Sequence, residues 1–269
     1  MYVKKIEVSM FDLIVCLSET IDLVDPVLTS HHRQVAYIAF KLAEASSDFS
    51  VEERNDMLTA GALHDIGALS LNEKLNALDF EVEQSKMTKH ALLGYLLLKK
   101  FYPLKKVASI IKYHHTRWNE GSGMKVNGEE VPLGSHLIHL ADRIAVLVDK
   151  SKPVLEQVDG IVRKIRRCSG KMFNPRLVEL FCDISVKEHF WFDLISPILD
   201  FTLSKSAKLP TFILTENEVI NLSRIFSHII DFRSNFTSTH SSGVAATAIS
   251  IAAMIGFSDQ EIKFMQIAG

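Results

Sequence analysis

Ala60-Gly61-Ala62-Leu63-His64-Asp65-Ile66-Gly67 closes a helical run and then sets an imidazole beside a carboxylate, just ahead of a glycine. The run opens after Ser50, a cap-forming residue. Glu52 and Glu53 fall in its first turn, where carboxylates meet the positive end of the helix dipole. A His-Asp dipeptide is common and means little alone. Its significance depends on the helices around it and on what those helices carry.

Outward from this stretch, nearly every long segment has apolar residues at three-to-four spacing. Met10–Val24 is one such segment, ending before Pro26. Another starts near Ser30, a candidate cap, and runs through Val35, Ile38, Ala39 and Leu42. Further helices are predicted over Lys86–Phe101, Leu104–His115, Leu133–Asp149, Pro153–Arg167 and Pro175–Ile184. Gly121, Gly123 and Gly128 mark a loop between two helices. Strand character is confined to Thr211-Phe212-Ile213-Leu214, a short run behind Pro210. The expected class is all-α.

The chain has 269 residues and 30.2 kDa, enough to bury a large core without disulfides or a structural metal. Thirty basic against 32 acidic residues leave a formal net charge of -2, which argues against a strongly basic DNA-binding protein. Cys16, Cys168 and Cys182 are odd in number and far apart, so neither a disulfide scaffold nor a thiolate zinc site is expected. Met1-Tyr2-Val3-Lys4-Lys5 does not open an export signal, and the longest apolar run, Ala91 to Leu98, is too short to span a bilayer. A cytoplasmic, non-membrane protein is expected. The unusual figure is 11 histidines.

Composition shifts to Ser, Lys and Pro over Ser204–Pro210, so a domain boundary is expected there, dividing 1–203 from 204–269. Beyond it the chain repeats itself. His31 stands four residues before Val35-Ala36, and His240 four before Val244-Ala245. Phe49-Ser50-Val51-Glu52-Glu53 is echoed by Phe257-Ser258-Asp259-Gln260-Glu261, and Ala60-Gly61 by Ala268-Gly269. The second stretch is therefore expected to be the start of a second, incomplete unit.

The remaining histidines and acids give His64-Asp65 its company. His31 begins one predicted helix and His90 another, His114-His115 ends the next, and Asp142 lies within Leu133–Asp149. A bundle can bring such residues together. Three or four His/Asp ligands per ion, completed by water, suit Mn, Fe, Ni, Zn or Mg. His32 is expected to point away, and His139 to lie behind the ligands or simply pack. His189 and Phe190-Trp191-Phe192 are expected in the core.

The order of these residues resembles the HD superfamily of metal-dependent phosphohydrolases, and within it the HD-GYP branch. The resemblance rests on His31, His64-Asp65-Ile66-Gly67, His90 with Gly94, His114-His115 and Ala141-Asp142, and covers about Val24 to Phe181. The departures are equally plain. Ala68 replaces the family lysine, Thr116 the glutamate after His-His, and Gly123-Met124-Lys125 the Gly-Tyr-Pro loop. Val27 replaces a glutamate of some members, and Ala145 the second Asp of the Ala-Asp run.

The resemblance implies an HD-type helical bundle with a C-terminal helical extension. It implies two divalent metal ions (Fe, Mn, Ni or Mg) held by His31, His64, Asp65, His90, His114, His115 and Asp142. Asp65 would be shared, with Asp65 and His64 at the catalytic centre and Lys125 and Arg117 contacting substrate. The reaction implied is hydrolysis of a phosphodiester of the cyclic di-GMP type by a water activated between two metals. The alternative is a catalytically degenerate HD domain that binds nucleotide or regulates a partner. The implied partners are a nucleotide or cyclic dinucleotide, together with a second HD unit in the parent chain or a homodimer. Neither DNA nor membrane is expected.

Overall fold

A computed structural model describes residues 6–22, 30–68, 84–231 and 240–269. Val27 and the tail of the first predicted helix, through Val24, lie outside them. The architecture is all-α, as expected, with two small sheets among the described residues. A short strand β1 (Ile6–Ser9) leads into α1 (Met10–Asp22), followed by α2 (His31–Ala45), α3 (Val51–Leu63), α4 (Gln84–Leu98) and α5 (Lys105–Lys112). A hairpin of β2 (Lys125–Val126) and β3 (Glu129–Glu130) then precedes α6 (Leu133–Leu147), α7 (Val154–Arg167), α8 (Pro175–Ser185), α9 (Glu188–Leu194) and α10 (Leu199–Ser206). The chain ends with β4 (Thr211–Leu214), α11 (Glu216–Asp231), α12 (His240–Met254) and α13 (Asp259–Ala268).

Helix α2 is the centre of the bundle. It packs against α3 and α6, and also touches α1, α8, α9 and α10. Its sequence permits this because, from Val35 to Ala45, every position but Lys41 and Glu44 is apolar or small, and Val35, Tyr37, Ile38, Ala39, Leu42 and Ala43 are fully buried. Burying a side chain the size of valine or leucine contributes about 1.5–3 kcal/mol. Helix α3 begins with a capping box: Ser50 Oγ accepts from Glu53 N–H, and the Glu53 carboxylate accepts from Ser50 N–H. The two backbones come close because Gly61 lacks a side chain. A Cβ there would stand 2.7 Å from Ala36 Cα and 2.8 Å from Ala36 N.

Some local expectations need correction. Ser30 does not cap α2 through its hydroxyl. It adopts a left-handed conformation (φ 71°), and its N–H donates to Asp22 Oδ2. The strand β1 carries no sequence signal of its own and forms because β4 lies alongside it, antiparallel, with Ile6 opposite Leu214 and Ser9 opposite Thr211. Phe190 and Trp191 are buried, and Trp191 Nε1 donates to the Ser185 carbonyl. His189 and Phe192, by contrast, lie on the exposed side of the short helix α9.

The order β4-α11-α12-α13 follows the order β1-α1-α2-α3 in detail. Ser258 and Glu261 form a second capping box. Asp231 accepts from Ser241 N–H and Ser241 Oγ, as Asp22 accepts from Ser30 N–H and pairs with His32. A Cβ on Gly269 would stand 2.9 Å from Ala245 Cα, matching Gly61 over Ala36. The surroundings differ. Val35 and Leu42 are fully buried, whereas Val244 and Ile251 are 41% and 53% exposed.

Two glycine-to-alanine substitutions test this packing. Gly61→Ala forces backbone against backbone and should cost about 1–3 kcal/mol or more by denaturant unfolding. Gly160→Ala, on the exposed face of α7 with nothing within 4 Å, should stabilise by about 0.5–1 kcal/mol.

Candidate metal centre

His64, Asp65, Ile66 and Gly67 form the turn that ends α3. It is closed by Ile66 N–H to the Leu63 carbonyl (3.0 Å) and Ala68 N–H to the Asp65 carbonyl (2.9 Å). Gly67 allows this turn to meet α4, since a Cβ there would lie 2.1 Å from the His90 carbonyl oxygen and 2.3 Å from Gly94 N. His90, on α4, is thereby brought next to Asp65. His114 and His115 occupy the matching turn at the end of α5. Ser135 Oγ ties α6 to that helix through the Ile110 carbonyl (2.7 Å). His31 is the first residue of α2, and Asp142 faces it from α6.

All seven residues named in the sequence converge, and each is at most 4% exposed. Asp65 lies in the middle. Its Oδ2 is 3.3 Å from His64 Nε2, while its Oδ1 is 3.0 Å from His90 Nε2 and 3.7 Å from His114 Nε2. Asp142 Oδ1 lies 3.4 Å from His31 Nε2 and 3.8 Å from His64 Nε2. Two sets result, with the ligand atoms of each within 4.8 Å of one another: Asp65, His90, His114 and His115, and His31, His64 and Asp65. Asp65 belongs to both.

The tautomers suit ligation. His64 Nδ1 donates to the Gly61 carbonyl (2.8 Å) and His114 Nδ1 to the Ile111 carbonyl (2.7 Å), so each ring presents Nε2 inward. His64 Nε2, His114 Nε2, Asp65 Oδ1 and Asp142 Oδ1 are buried without a hydrogen-bond partner. Buried polar atoms are normally satisfied, so these four orphans within the cluster fit cations that would satisfy them. His115 Nε2 and His90 Nε2 are 2.8 Å apart, which also suits two lone pairs turned to one ion.

Electrostatics favour neutral rings at His31, His114 and His115. Burial lowers the imidazoles of His31 and His114, and lowers His115 further with help from the neighbouring His114, His90 and His139. They are thus neutral, the form that binds metal. Burial would also lower His64, but the Asp65 carboxylate beside it outweighs that and raises it to about 9. Burial alone would push Asp65 up, yet the His64 charge and the facing imidazoles of His114 and His90 hold it well below the usual carboxylate range. Two buried carboxylates require positive charge among them. The nitrogen and oxygen donors suit Mn, Fe, Ni, Zn or Mg.

The other residues singled out in the sequence fall elsewhere. Lys125 is exposed on β2, opposite Glu130, and Arg117 is half-buried in the segment after His115. His139 is buried with its ring 6.0 Å from His115 and 5.4 Å from Phe173, and His136 packs edge-on against Trp118. His240 is exposed. His32 does not point away from the cluster. It is 1% exposed, its ring lies 5.3 Å from those of His31 and His64, and its Nδ1 pairs with Asp22. Sequence reasoning missed Asp22 and also Arg143, whose buried guanidinium contacts Asp142 Oδ2 at 2.7 Å. The one available signal for Arg143 was an arginine within a largely apolar helix that also carries Asp142.

Histidines and aspartates from five separate segments are thus buried around one shared carboxylate in a helical bundle, a cluster that could hold metal ions. Residues 28–147 match the family model for the HD domain. The chain is 26% identical over 262 residues to a 3'3'-cGAMP-specific phosphodiesterase 1 of Vibrio cholerae serotype O1, covering 94% of this chain and 60% of that protein. It is 28% identical over 169 residues to a cyclic di-GMP phosphodiesterase of Thermotoga maritima, covering 56% of this chain and 43% of that one. The chain thus spans 60% or less of the length of these curated relatives. The crystal structure of a cyclic GMP-AMP specific phosphodiesterase of V. cholerae shares the fold, with a TM-score of 0.69 at 18% identity, covering 97% of this chain and 69% of that one. No helix among the described residues is long and apolar enough to cross a membrane.

Metal should stabilise the fold. A divalent ion at about 100 times its Kd adds about 2.7 kcal/mol, so Mn or Fe should raise the Tm of metal-stripped protein by several degrees. Asp65→Asn should abolish most of that rise, which thermal unfolding with and without chelator would read.

Proposed function

We propose that the chain is a metal-dependent phosphodiesterase acting on a cyclic dinucleotide, with two divalent ions held by His31, His64, Asp65 and Asp142 on one side and by Asp65, His90, His114 and His115 on the other. The observation that carries this is the position of Asp65, whose two oxygens face different sets of histidines. When bound, the ions would supply the Lewis acidity that phosphodiester hydrolysis by water requires. The chain's own residues do the rest. Asp65 would take part in holding both ions. The Gly61 and Ile111 carbonyls hold His64 and His114 in the inward-facing tautomer. The apolar walls around the cluster keep its local dielectric low, which strengthens every charge interaction within it. Lys125 and Arg117 are the proposed contacts to substrate phosphates.

The substrate class is supported by relatives named for 3'3'-cGAMP and for cyclic di-GMP. Cyclic di-GMP is the substrate proposed from the HD-GYP-like motif order. A second reading is a regulatory nucleotide-binding module without turnover. It is favoured by Ala68, Thr116 and Met124-Lys125, which stand where the HD-GYP branch carries residues for substrate. Residues 204–269 are proposed to repeat the opening of the same HD unit, supported by the matched capping boxes and by the Gly61 and Gly269 close approaches.

Purified protein loaded with Mn or Fe should linearise cyclic di-GMP or 3'3'-cGAMP faster than it cleaves a bis-phenyl phosphodiester. Asp65→Ala should lower that rate by at least about 100-fold. Tight nucleotide binding without product would support the regulatory reading instead. Cleavage of the generic ester alone would remove the cyclic dinucleotide assignment.

A further inference from the structure

Arg143 follows Asp142 on α6 and is 1% exposed. Consecutive helical residues ordinarily point about 100° apart and do not face one another. Here the arginine turns back on its neighbour. Nε lies 3.1 Å and an Nη nitrogen 2.7 Å from the same Asp142 oxygen, Oδ2. The surrounding turns of α6 are apolar, with Leu137, Ile138, Leu140, Ala141 and Ile144 fully buried. A guanidinium in such a place is costly unless matched by a carboxylate. Its placement also has a consequence for the acid. With Oδ2 engaged twice by Arg143, Oδ1 is left without a hydrogen-bond partner, and it is the oxygen that faces His31 Nε2 and His64 Nε2.

We propose that Arg143 is a positioning residue that clamps Oδ2 of Asp142, so that the acid offers Oδ1 alone to the ion shared with His31 and His64. The proposal rests on the metal-centre reading above. The clamp keeps Asp142 from swinging to a two-oxygen grip and offsets one of the two buried carboxylates, leaving the Asp65, His90, His114 and His115 set unaffected. Lysine cannot replace it fully, because a single ammonium lacks the planar fork that reaches one oxygen with two N–H groups.

The test is manganese binding to metal-stripped protein, by calorimetry with elemental analysis, on wild type, Arg143→Met, Arg143→Lys and His31→Ala. Wild type should bind two ions. Arg143→Met should weaken one of them by about 10–100-fold, the range for residues that orient a ligand, and spare the other. Arg143→Lys should fall between, and His31→Ala should weaken the same ion. Retention of wild-type affinity for both ions in Arg143→Met and Arg143→Lys, while His31→Ala loses one, would overturn the proposal and leave the metal centre standing. Equal weakening of both ions by Arg143→Met would also overturn it, as general damage. Full metal content in His31→Ala would remove the centre and the proposal together. Should Arg143→Met not fold, as judged by its thermal transition, Arg143→Lys decides by the same criterion: one ion weakened several-fold supports the clamp, and both unchanged overturn it.

Discussion

The bundle is organised around a buried carboxylate that two groups of imidazoles must share. Asp65 sits on a turn, not within a helix, and this lets its two oxygens point in different directions. Everything near it is arranged so that the turn can be approached from several sides. Gly61 lets α3 press on α2, and Gly67 lets the turn press on α4. Any side chain at those positions would hold the histidines away from the acid. The cost of dehydrating so many polar groups is offset only if charge balances within the cluster, which is why neutral rings, one raised histidine and an arginine surround two acids.

Much of this was legible in the residue order. Amphipathic spacing located the helices, and Ser50 with Glu53 located the start of α3 correctly. The seven converging residues could be named because their order resembles that of the HD superfamily, and each falls at a helix end or on an inward face. What could not be read depends on contacts between distant segments. The strand Ile6–Ser9 exists because residues 211–214 run beside it. His32 carries no local mark distinguishing it from a surface histidine. Its burial follows from Asp22, ten residues earlier, pairing with its ring. Ser30 was misjudged as a hydroxyl cap because backbone handedness, not composition, decides that geometry.

The repeated β-α-α-α order shows how the same local grammar can serve two settings. Ser258 with Glu261 and Gly269 over Ala245 match contacts of the earlier stretch, and Asp231 holds Ser241 where Asp22 pairs with His32. What differs is the cover. Helix α2 is enclosed by α3, α6, α8 and α9, whereas α12 packs chiefly on α13 and α11. Local geometry is therefore set by sequence within each copy, while burial is set by what lies over it.

The antiparallel pairing of β1 with β4 also bears on how the protein can be shortened. Ending the chain after α10 would keep every histidine and aspartate of the cluster, yet strip Ile6–Ser9 of its companion strand. The freed edge would offer unpaired backbone amides and carbonyls to any other extended segment. A shortened chain that carries the cluster therefore extends at least through Leu214, or begins after the first strand, to avoid self-association through that edge.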